Sequence, residues 1–438
     1  MQLTTEIMHP RRFPLTNELH ARPFQPYHAP GRILYLAFKV PDNAAERDRQ
    51  KDFDHLVQFL DRHGGPHPAG TAGHYSHDFG RFRLKWEQHT EFVAYTLYTP
   101  EPVGELFDHR LSGLMDQSWV EDAPGKVIAA IEIEIIEADG REAGEVMIGN
   151  GIARNFNPEG LAISRILDGG GIAMSDFRIH EGGFTRFAVI VCQPTGPRRI
   201  GRSVQRLIEI ETYKTLALLA LPIARATATR LNEIEHDLTE LVTQVSTADG
   251  TVAADILTRL SALSAEIEAL SAASAFRFGA AGAYEQIVRD RIEMLRETRI
   301  EGRQLFREFM LRRFEPAMQT CHSASQRVDA LATRASRVAE LLRTRVDVEM
   351  EAQNQRLLRS MDERAGLQVR LQRTVESVSV VAISYYAVSL AAYLLVPFAG
   401  PLGLSKALLT SLIAVPVILG VWIAARIIRR RIEKTRRP

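Results

Sequence analysis

Residues 378–397 read VSVVAISYYAVSLAAYLLVP, and residues 407–425 read ALLTSLIAVPVILGVWIAA. Neither stretch contains a charged side chain, and each is close to the roughly 20 apolar residues with which a helix crosses a bilayer. Between them, residues 398–406 read FAGPLGLSK, where glycine and proline end one helix before the next begins. The sequence therefore predicts a transmembrane hairpin at 377–426.

Basic residues flank this hairpin on one side. Arg364, Arg370 and Arg373 precede the first apolar stretch, and the tail at 427–438 is rich in arginine, whereas the connecting turn contains only Lys406. Cytoplasmic flanks of membrane helices are enriched in lysine and arginine. We therefore expect both termini to be cytoplasmic, with 427–438 forming a basic cytoplasmic tail.

The composition indicates that most of the chain lies in water. The apolar hairpin makes the lipid bilayer an expected partner. Of 438 residues, 24% are charged, and 54 lysines and arginines nearly balance 53 aspartates and glutamates, for a net charge of +1. Such a balance gives no global field for nucleic acid. Cys192 and Cys321 are far apart and belong to no CxxC motif, which excludes a disulfide framework or a zinc ribbon. No cofactor motif is recognisable.

Residues 1–200 have the mixed pattern of an α/β or α+β cytoplasmic domain. We predict an antiparallel strand pair at 82–87 and 92–98, and a sheet with one solvent-exposed face from the strict alternation at 131–135. The glycines at 169–171 lead into another strand, so they indicate a turn and not a phosphate loop. The other predicted elements are strands at 33–40, 127–136, 151–156, 172–179 and 184–192 and helices at 44–63 and 103–115.

Residues 201–376 are predicted to form helical arms and a long stalk helix. Pro222 should kink or divide the first arm. No proline lies between Pro316 and Pro397, which predicts one helix of about 80 residues, roughly 120 Å long, that continues into the membrane. Because its apolar residues follow coiled-coil spacing, we expect homo-oligomers that associate through the stalk. The positions with this spacing are Ala324, Val328, Leu331, Ala335, Val338 and Leu342, followed after a stutter by Leu357, Met361, Ala365, the polar Gln368, Leu371 and Val375.

Several motifs together resemble a bacterial family of uncharacterised membrane-anchored proteins, domain of unknown function 3422. The motifs are NELHARPF at 17–24, KWE at 85–87 with HTEF at 89–92, SDFR at 175–178, RLIEIETY at 206–213 with ALLALP at 217–222, and VESVSVVAISYY at 375–386. The resemblance covers nearly the whole chain. It implies anchoring in a bacterial inner membrane and carries no activity with it.

The order of the predicted regions is similar to that of the CorA-type magnesium channel superfamily, which has a cytoplasmic α/β domain, a stalk helix and two C-terminal spans. That superfamily has Gly-Met-Asn at the end of the first span as a cation filter. This chain has VPFAGPL at 396–402 instead. The layout implies an oligomeric ion channel or a transport-related protein. The alternative is a membrane-anchored scaffold or partner-binding protein without transport activity.

The first span has one stripe of small and hydroxyl-bearing side chains. They recur in steps of three and four, at Ser379, Ala382, Tyr386, Ser389 and Tyr393. Such a stripe lines a pore or serves as a helix-packing face. Neither span contains a charged residue or histidine, which disfavours a proton relay or a coupled transporter.

Two groups in the aqueous domain are candidate binding sites. His74, His77 and Asp78 lie in a predicted loop and form either a metal site or a set of surface side chains. Arg11, Arg12 and Arg22 either bind an anion or brace the N-terminal segment. Because no nucleophile–base pair or acid pair is recognisable, an enzyme ranks third, after the channel and the scaffold.

Overall fold

The computed structural model describes residues 8–18, 24–41, 47–70, 72–100, 105–108, 111–247, 250–395 and 406–435. It divides into two compact units. The first consists of Met1–Thr247 and Ile256–Ala339, and the second of Ala248–Asp255 and Glu340–Pro438.

A mixed nine-stranded sheet forms the centre of the first unit, which confirms a mixed α/β fold. Its order is β2-β3-β4-β1-β5-β8-β7-β6-β9. Within the described residues, β5 and β8 are the only parallel neighbours. The strands are β1 Gly31–Lys39, β2 His74–Asp78, β3 Arg83–Gln88, β4 Phe92–Thr99, β5 Lys126–Glu137, β6 Ala162–Ile166, β7 Gly171–Ser175, β8 Thr185–Val191 and β9 Thr298–Arg299.

A long C-terminal helix, α9, and a final apolar helix, α10, follow the sheet along the chain. Pro222 does separate two arms, because α5 ends at Leu218 and α6 begins at Ala220, which puts the proline in the first turn, where its missing N–H costs little. The helices are α1 Arg12–Glu18, α2 Arg49–His63, α3 Gln117–Glu121, α4 Arg141–Asn150, α5 Pro197–Leu218, α6 Ala220–Thr247, α7 Gly250–Leu295, α8 Phe306–Arg313, α9 Glu315–Leu395 and α10 Lys406–Thr435.

The two faces of the sheet are covered differently. One face carries a continuous core in which Ile33, Ile131 and Phe187 pack with Val204 and Leu207 of α5. On the opposite face, one cluster lies under α2 and includes Phe38, Phe59 and Trp119. A second cluster lies under α4 and includes Ile148 and Ile190. The middle strands, β1, β5 and β8, run between these two clusters.

Several predicted elements are wrong or incomplete. Residues 151–156 form a short 3-10 helix at Ile152–Asn155 instead of a strand, and the described part of 103–115 has only a 3-10 turn at Ser112–Leu114. The predicted solvent-exposed sheet face is also wrong. Glu132 and Glu134 are 7% and 3% exposed, because they are paired with arginines and covered by residues 105–108.

The helix α9 confirms the prediction of one uninterrupted helix, with 81 residues. In the first unit its residues Ala324, Val328, Leu331 and Ala335 are buried. They lie beside α6, where Arg327 donates a hydrogen bond of 2.7 Å to the Asn232 side chain. This part of the predicted coiled-coil stretch therefore packs against the chain's own helical arm.

Two helical stretches are long and apolar enough to cross a membrane by length and composition. One ends at Leu395 in α9, and the other is Ala407–Ile428 in α10. Their apolar side chains are largely exposed, including Val381 at 70% and Leu412 at 68%.

Candidate functional site

A cluster of charged side chains lies on the middle strands of the sheet, on the face opposite α5. Arg32 of β1 is directly opposite Glu134 of β5, and Glu132 of β5 is directly opposite Arg186 of β8. Alternate residues of a strand point to the same face, so all four side chains lie between the α2 and α4 clusters. We call Arg32, Asp108, Glu132, Glu134 and Arg186 the charged cluster.

Arg32 is the centre of this cluster. Its Nη1 pairs with the Asp108 carboxylate, and its Nη2 donates a hydrogen bond of 2.5 Å to the carbonyl oxygen of Glu105. Its Nε lies 3.2 Å from Oε2 of Glu134. A single buried guanidinium therefore joins β5 to the short segment 105–108.

Glu134 of β5 also binds the segment 105–108 directly. Its Oε1 accepts a hydrogen bond of 2.8 Å from the backbone N–H of Phe107. Phe107 has φ of 59°, in the left-handed region that a bulky side chain seldom adopts. The Arg32–Glu134 pair thus fixes a strained backbone over the sheet, and such strain costs about 1–3 kcal/mol.

Arg186 forms the other end of the charged cluster. Its Nε lies 3.9 Å from Oε2 of Glu132, and its guanidinium carbon lies 4.9 Å from the centre of the Phe107 ring. The Phe107 ring meets Phe156 edge-on, with 5.7 Å between centroids. The aromatic ring is therefore held between a cation and a second ring, which favours its position above the cluster.

Arg32, Asp108, Glu132 and Glu134 line a small cleft of about 20 Å³, roughly the space of one water molecule. Burial raises the pKa of the Glu134 carboxyl, while the Phe107 N–H and Arg32 act in the opposite direction. The described lining residues contribute charges of both signs and apolar side chains, and they include no serine, cysteine or histidine.

The SDFR motif at 175–178 has a structural explanation next to this site. Asp176 is buried, and its Oδ2 accepts a hydrogen bond of 2.7 Å from the backbone N–H of Asn157. His180 Nε2 lies 3.0 Å from the same oxygen. The hydroxyl of Ser175 donates to the carbonyl oxygen of Arg186 at 2.8 Å. The motif therefore secures the β7–β8 connection beside the charged cluster.

The histidines predicted as metal ligands lie on the edge strand β2, not on a loop. An odd separation along a strand places His74 and His77 on opposite faces. Asp78 pairs with Arg83 at 3.2 Å, and a hydrogen bond from the backbone N–H of Gly80 and then this arginine lower its pKa. Among the residues that the structure describes, no group of three or more His, Cys, Asp or Glu side chains is placed to hold a metal ion.

The other predicted residues are dispersed. Arg11 and Arg12 are exposed at the start of α1, while Arg22 lies outside the described residues. On α9, Tyr386 and Tyr393 are 72% and 81% exposed. The hydroxyl groups of Ser379 and Ser389 donate to the carbonyl oxygens of Val375 and Tyr385, at 2.8 and 2.9 Å, and Ala382 is exposed on the same helix.

Sequence inspection missed Arg32, Glu132, Glu134 and Arg186 as site residues. The alternating glutamates of β5 were the available signal for these residues. Their arginine partners lie about 100 and 50 positions away in the chain, so a local pattern does not connect them.

A family model described as a protein of unknown function, DUF3422, matches residues 7–432. The chain belongs to the DUF3422 family. This confirms the resemblance that the sequence motifs indicate. No curated protein and no solved structure matches the DUF3422 protein, and none of these comparisons connects it with the CorA superfamily.

Proposed function

We propose that the DUF3422 protein is a membrane-anchored scaffold or partner-binding protein. In this proposal α9 and α10 form a hairpin in the bilayer, both termini are cytoplasmic, and the first unit is presented at the membrane surface. The observation that carries it is the exposure of apolar side chains along both helices, such as Leu390 at 65% and Val415 at 65%. In water such continuous apolar surface is unfavourable, whereas hydrocarbon accommodates it.

We propose that the first unit binds a polar group of its partner at the cleft above the charged cluster. This cleft brings Arg32, Glu132 and Glu134 together with the strained Phe107 backbone, and Arg186 lies over the Phe107 ring beside it. Polar groups placed on a rigid sheet within a partly apolar cleft favour specific binding.

Removal of the hairpin tests the anchor. We expect the full chain to stay in the membrane pellet after alkaline carbonate extraction, because two spans are removed only by detergent. A chain ending at Glu376 should move to the soluble fraction. Recovery of the full chain in the carbonate supernatant would contradict anchoring.

The orientation can be tested in the same membranes. Both native cysteines are buried, so single introduced cysteines report cleanly. In intact cells, an impermeant maleimide should label Ser405→Cys in the connecting turn and leave Ser360→Cys unlabelled. The reverse pattern would invert the topology.

An oligomeric ion channel is the second candidate function. It is favoured by the hydroxyl-bearing stripe of α9, on which Tyr386 and Tyr393 are exposed. If this stripe lines a pore, proteoliposomes containing the full chain should conduct ions, and Tyr386→Ala or Ser389→Leu should change the flux on the order of severalfold. The control is Leu412→Ala on α10. If the flux through liposomes containing the wild-type chain equals that through empty liposomes, the channel function is excluded and the scaffold function remains.

A further inference from the structure

We propose that residues 350–378 of α9 form a self-association surface, on which a second copy of this chain packs in parallel as a coiled coil. The proposal rests on the membrane anchoring proposed above, which sets the direction of the two helices. We call this stretch the stalk seam. The proposed pairing brings each residue of this stretch level with the same residue of the second copy.

The stalk seam has a heptad pattern in which apolar residues are exposed. Every residue from 351 to 379 is exposed in one copy. A strict heptad, which takes Arg364 in place of the neighbouring Ala365, puts Met350, Leu357, Arg364, Leu371 and Val378 on one row and Asn354, Met361, Gln368 and Val375 on the other. Leu357, Met361 and Leu371 are 62–67% exposed. Spacing of seven residues with alternating steps of four and three is that of a coiled-coil interface.

The remaining positions agree with this assignment. The outward positions of the same heptad are mostly charged, and they include Arg356, Arg359, Asp362, Glu363, Arg370 and Arg373. The positions that flank the two rows are uncharged after Glu351, with Leu358 and Leu367 among them. Partner helices can therefore approach without like-charge repulsion at the flanks, while the opposite side stays solvated.

The stalk seam extends a pattern that is already used for packing. In the first unit, Ala324, Val328, Leu331 and Ala335 of the same helix are buried beside α6. The periodicity lapses after Leu342, which is still buried, and resumes from Met350, and from 351 to 379 every side chain is exposed. The heptad pattern that packs α9 against α6 upstream thus recurs in a stretch whose side chains are exposed in a single copy.

A second copy of this chain is the occupant that fits. Asn354 and Gln368 occupy a row whose members face their own counterparts in a parallel pair. A carboxamide both donates and accepts hydrogen bonds, so each of these side chains satisfies the same side chain of the second copy. An asparagine on this row also favours one register over its alternatives. Two copies inserted in one membrane leave it in the same direction, which brings identical residues to the same level.

Arg364 is the one seam residue that opposes this pairing. In the parallel pair it would face the Arg364 of the second copy, so like charges meet at the interface. Natural coiled coils tolerate single polar residues at such positions at a cost in stability. This predicts that removal of the charge strengthens association.

Disulfide crosslinking of the full chain in native membranes tests the register. Met361→Cys and Leu371→Cys face the second copy, and Arg359→Cys and Glu363→Cys lie on the outward side as matched controls. Paired cysteines need Cα atoms within about 7 Å. We expect dimers at the two seam positions to form on the order of tenfold more than at the controls. The native cysteines are buried, so the variants have a clean background.

A gain-of-association variant adds a second measurement. Arg364→Leu should lower the dimer dissociation constant in detergent by on the order of tenfold, while the outward Arg370→Leu should leave it unchanged. Equal crosslinking at seam and outward positions, crosslinks only to proteins of other mass, or no effect of Arg364→Leu would each overturn the proposal. If the protein forms crosslinked dimers at the seam positions but carbonate removes it from the membrane, the seam is supported and anchoring is overturned. If the protein stays in the membrane pellet but forms no seam dimers, anchoring is supported and the seam is overturned.

Discussion

The Arg32→Met variant is expected to lose about 3–5 kcal/mol of the free energy of unfolding of the first unit. Arg32 is the shared partner of Glu134, Asp108 and the Glu105 carbonyl oxygen. Methionine preserves much of the volume of the side chain but removes the charge. The Glu134 and Asp108 carboxylates then lose the cation that they share, and the segment 105–108 loses its contacts with Arg32.

Two measurements give this prediction its control. Chemical unfolding, followed by tryptophan fluorescence, should show a much smaller loss of about 0–1 kcal/mol for Arg83→Met, because its partner Asp78 is 58% exposed and Arg83 itself is 28% exposed. The double variant Arg32→Met/Glu134→Met should recover part of the stability, since an apolar pair needs no compensating charge. Equal losses for Arg32→Met and Arg83→Met would contradict the central role of Arg32.

The loss in Arg32→Met should also depend on pH. Burial already raises the pKa of Glu134 in the folded protein, and the loss of its cation raises it further. The folded state then binds more protons than the unfolded state in the window above the ordinary glutamate pKa. Stability therefore falls as pH rises through that window. We expect the deficit to be larger at about pH 8 than at about pH 5.

The charged cluster shows where sequence reasoning reaches its limit. The alternation of isoleucine and glutamate in β5 correctly predicts a strand. The same pattern is produced by glutamates in water and by glutamates opposite buried arginines on neighbouring strands. Only the strand order, with β1 on one side of β5 and β8 on the other, decides between them. That order depends on pairing between residues far apart in the chain, which local periodicity does not encode.

Elements with strong local patterns were predicted best. The pair β3–β4 is joined at His89–Glu91 as expected, and α9 is continuous because helix formers run without proline from 317 to 395. The strand β2, with the sequence HYSHD, lies at the sheet edge and lacks an apolar face, so it resembles a loop. This error matters for function, because a loop could bring His74 and His77 together whereas a strand separates them.

A second large loss of stability is expected for Trp119→Ala. Trp119 is 1% exposed and stacks on His55 with 4.1 Å between ring centroids. Its indole N–H donates to the His55 carbonyl oxygen at 3.2 Å, and His55 Nε2 lies 2.9 Å from the Trp119 carbonyl oxygen. Trp119 therefore joins the short helix α3 to α2 through both stacking and hydrogen bonds.

Truncation to alanine leaves a cavity among Phe38, Phe59 and Tyr95, and the free energy of unfolding should fall by about 3–5 kcal/mol. Trp119→Phe keeps most of the packing and should lose less, mainly because the His55 carbonyl oxygen loses its donor. The matched control is Trp422→Ala on α10, where the ring is 52% exposed and should not contribute to unfolding of the first unit. If Trp422→Ala lowered that stability as much as Trp119→Ala, the stability of the sheet unit would depend on the apolar helices instead of on its own α2–α3 core.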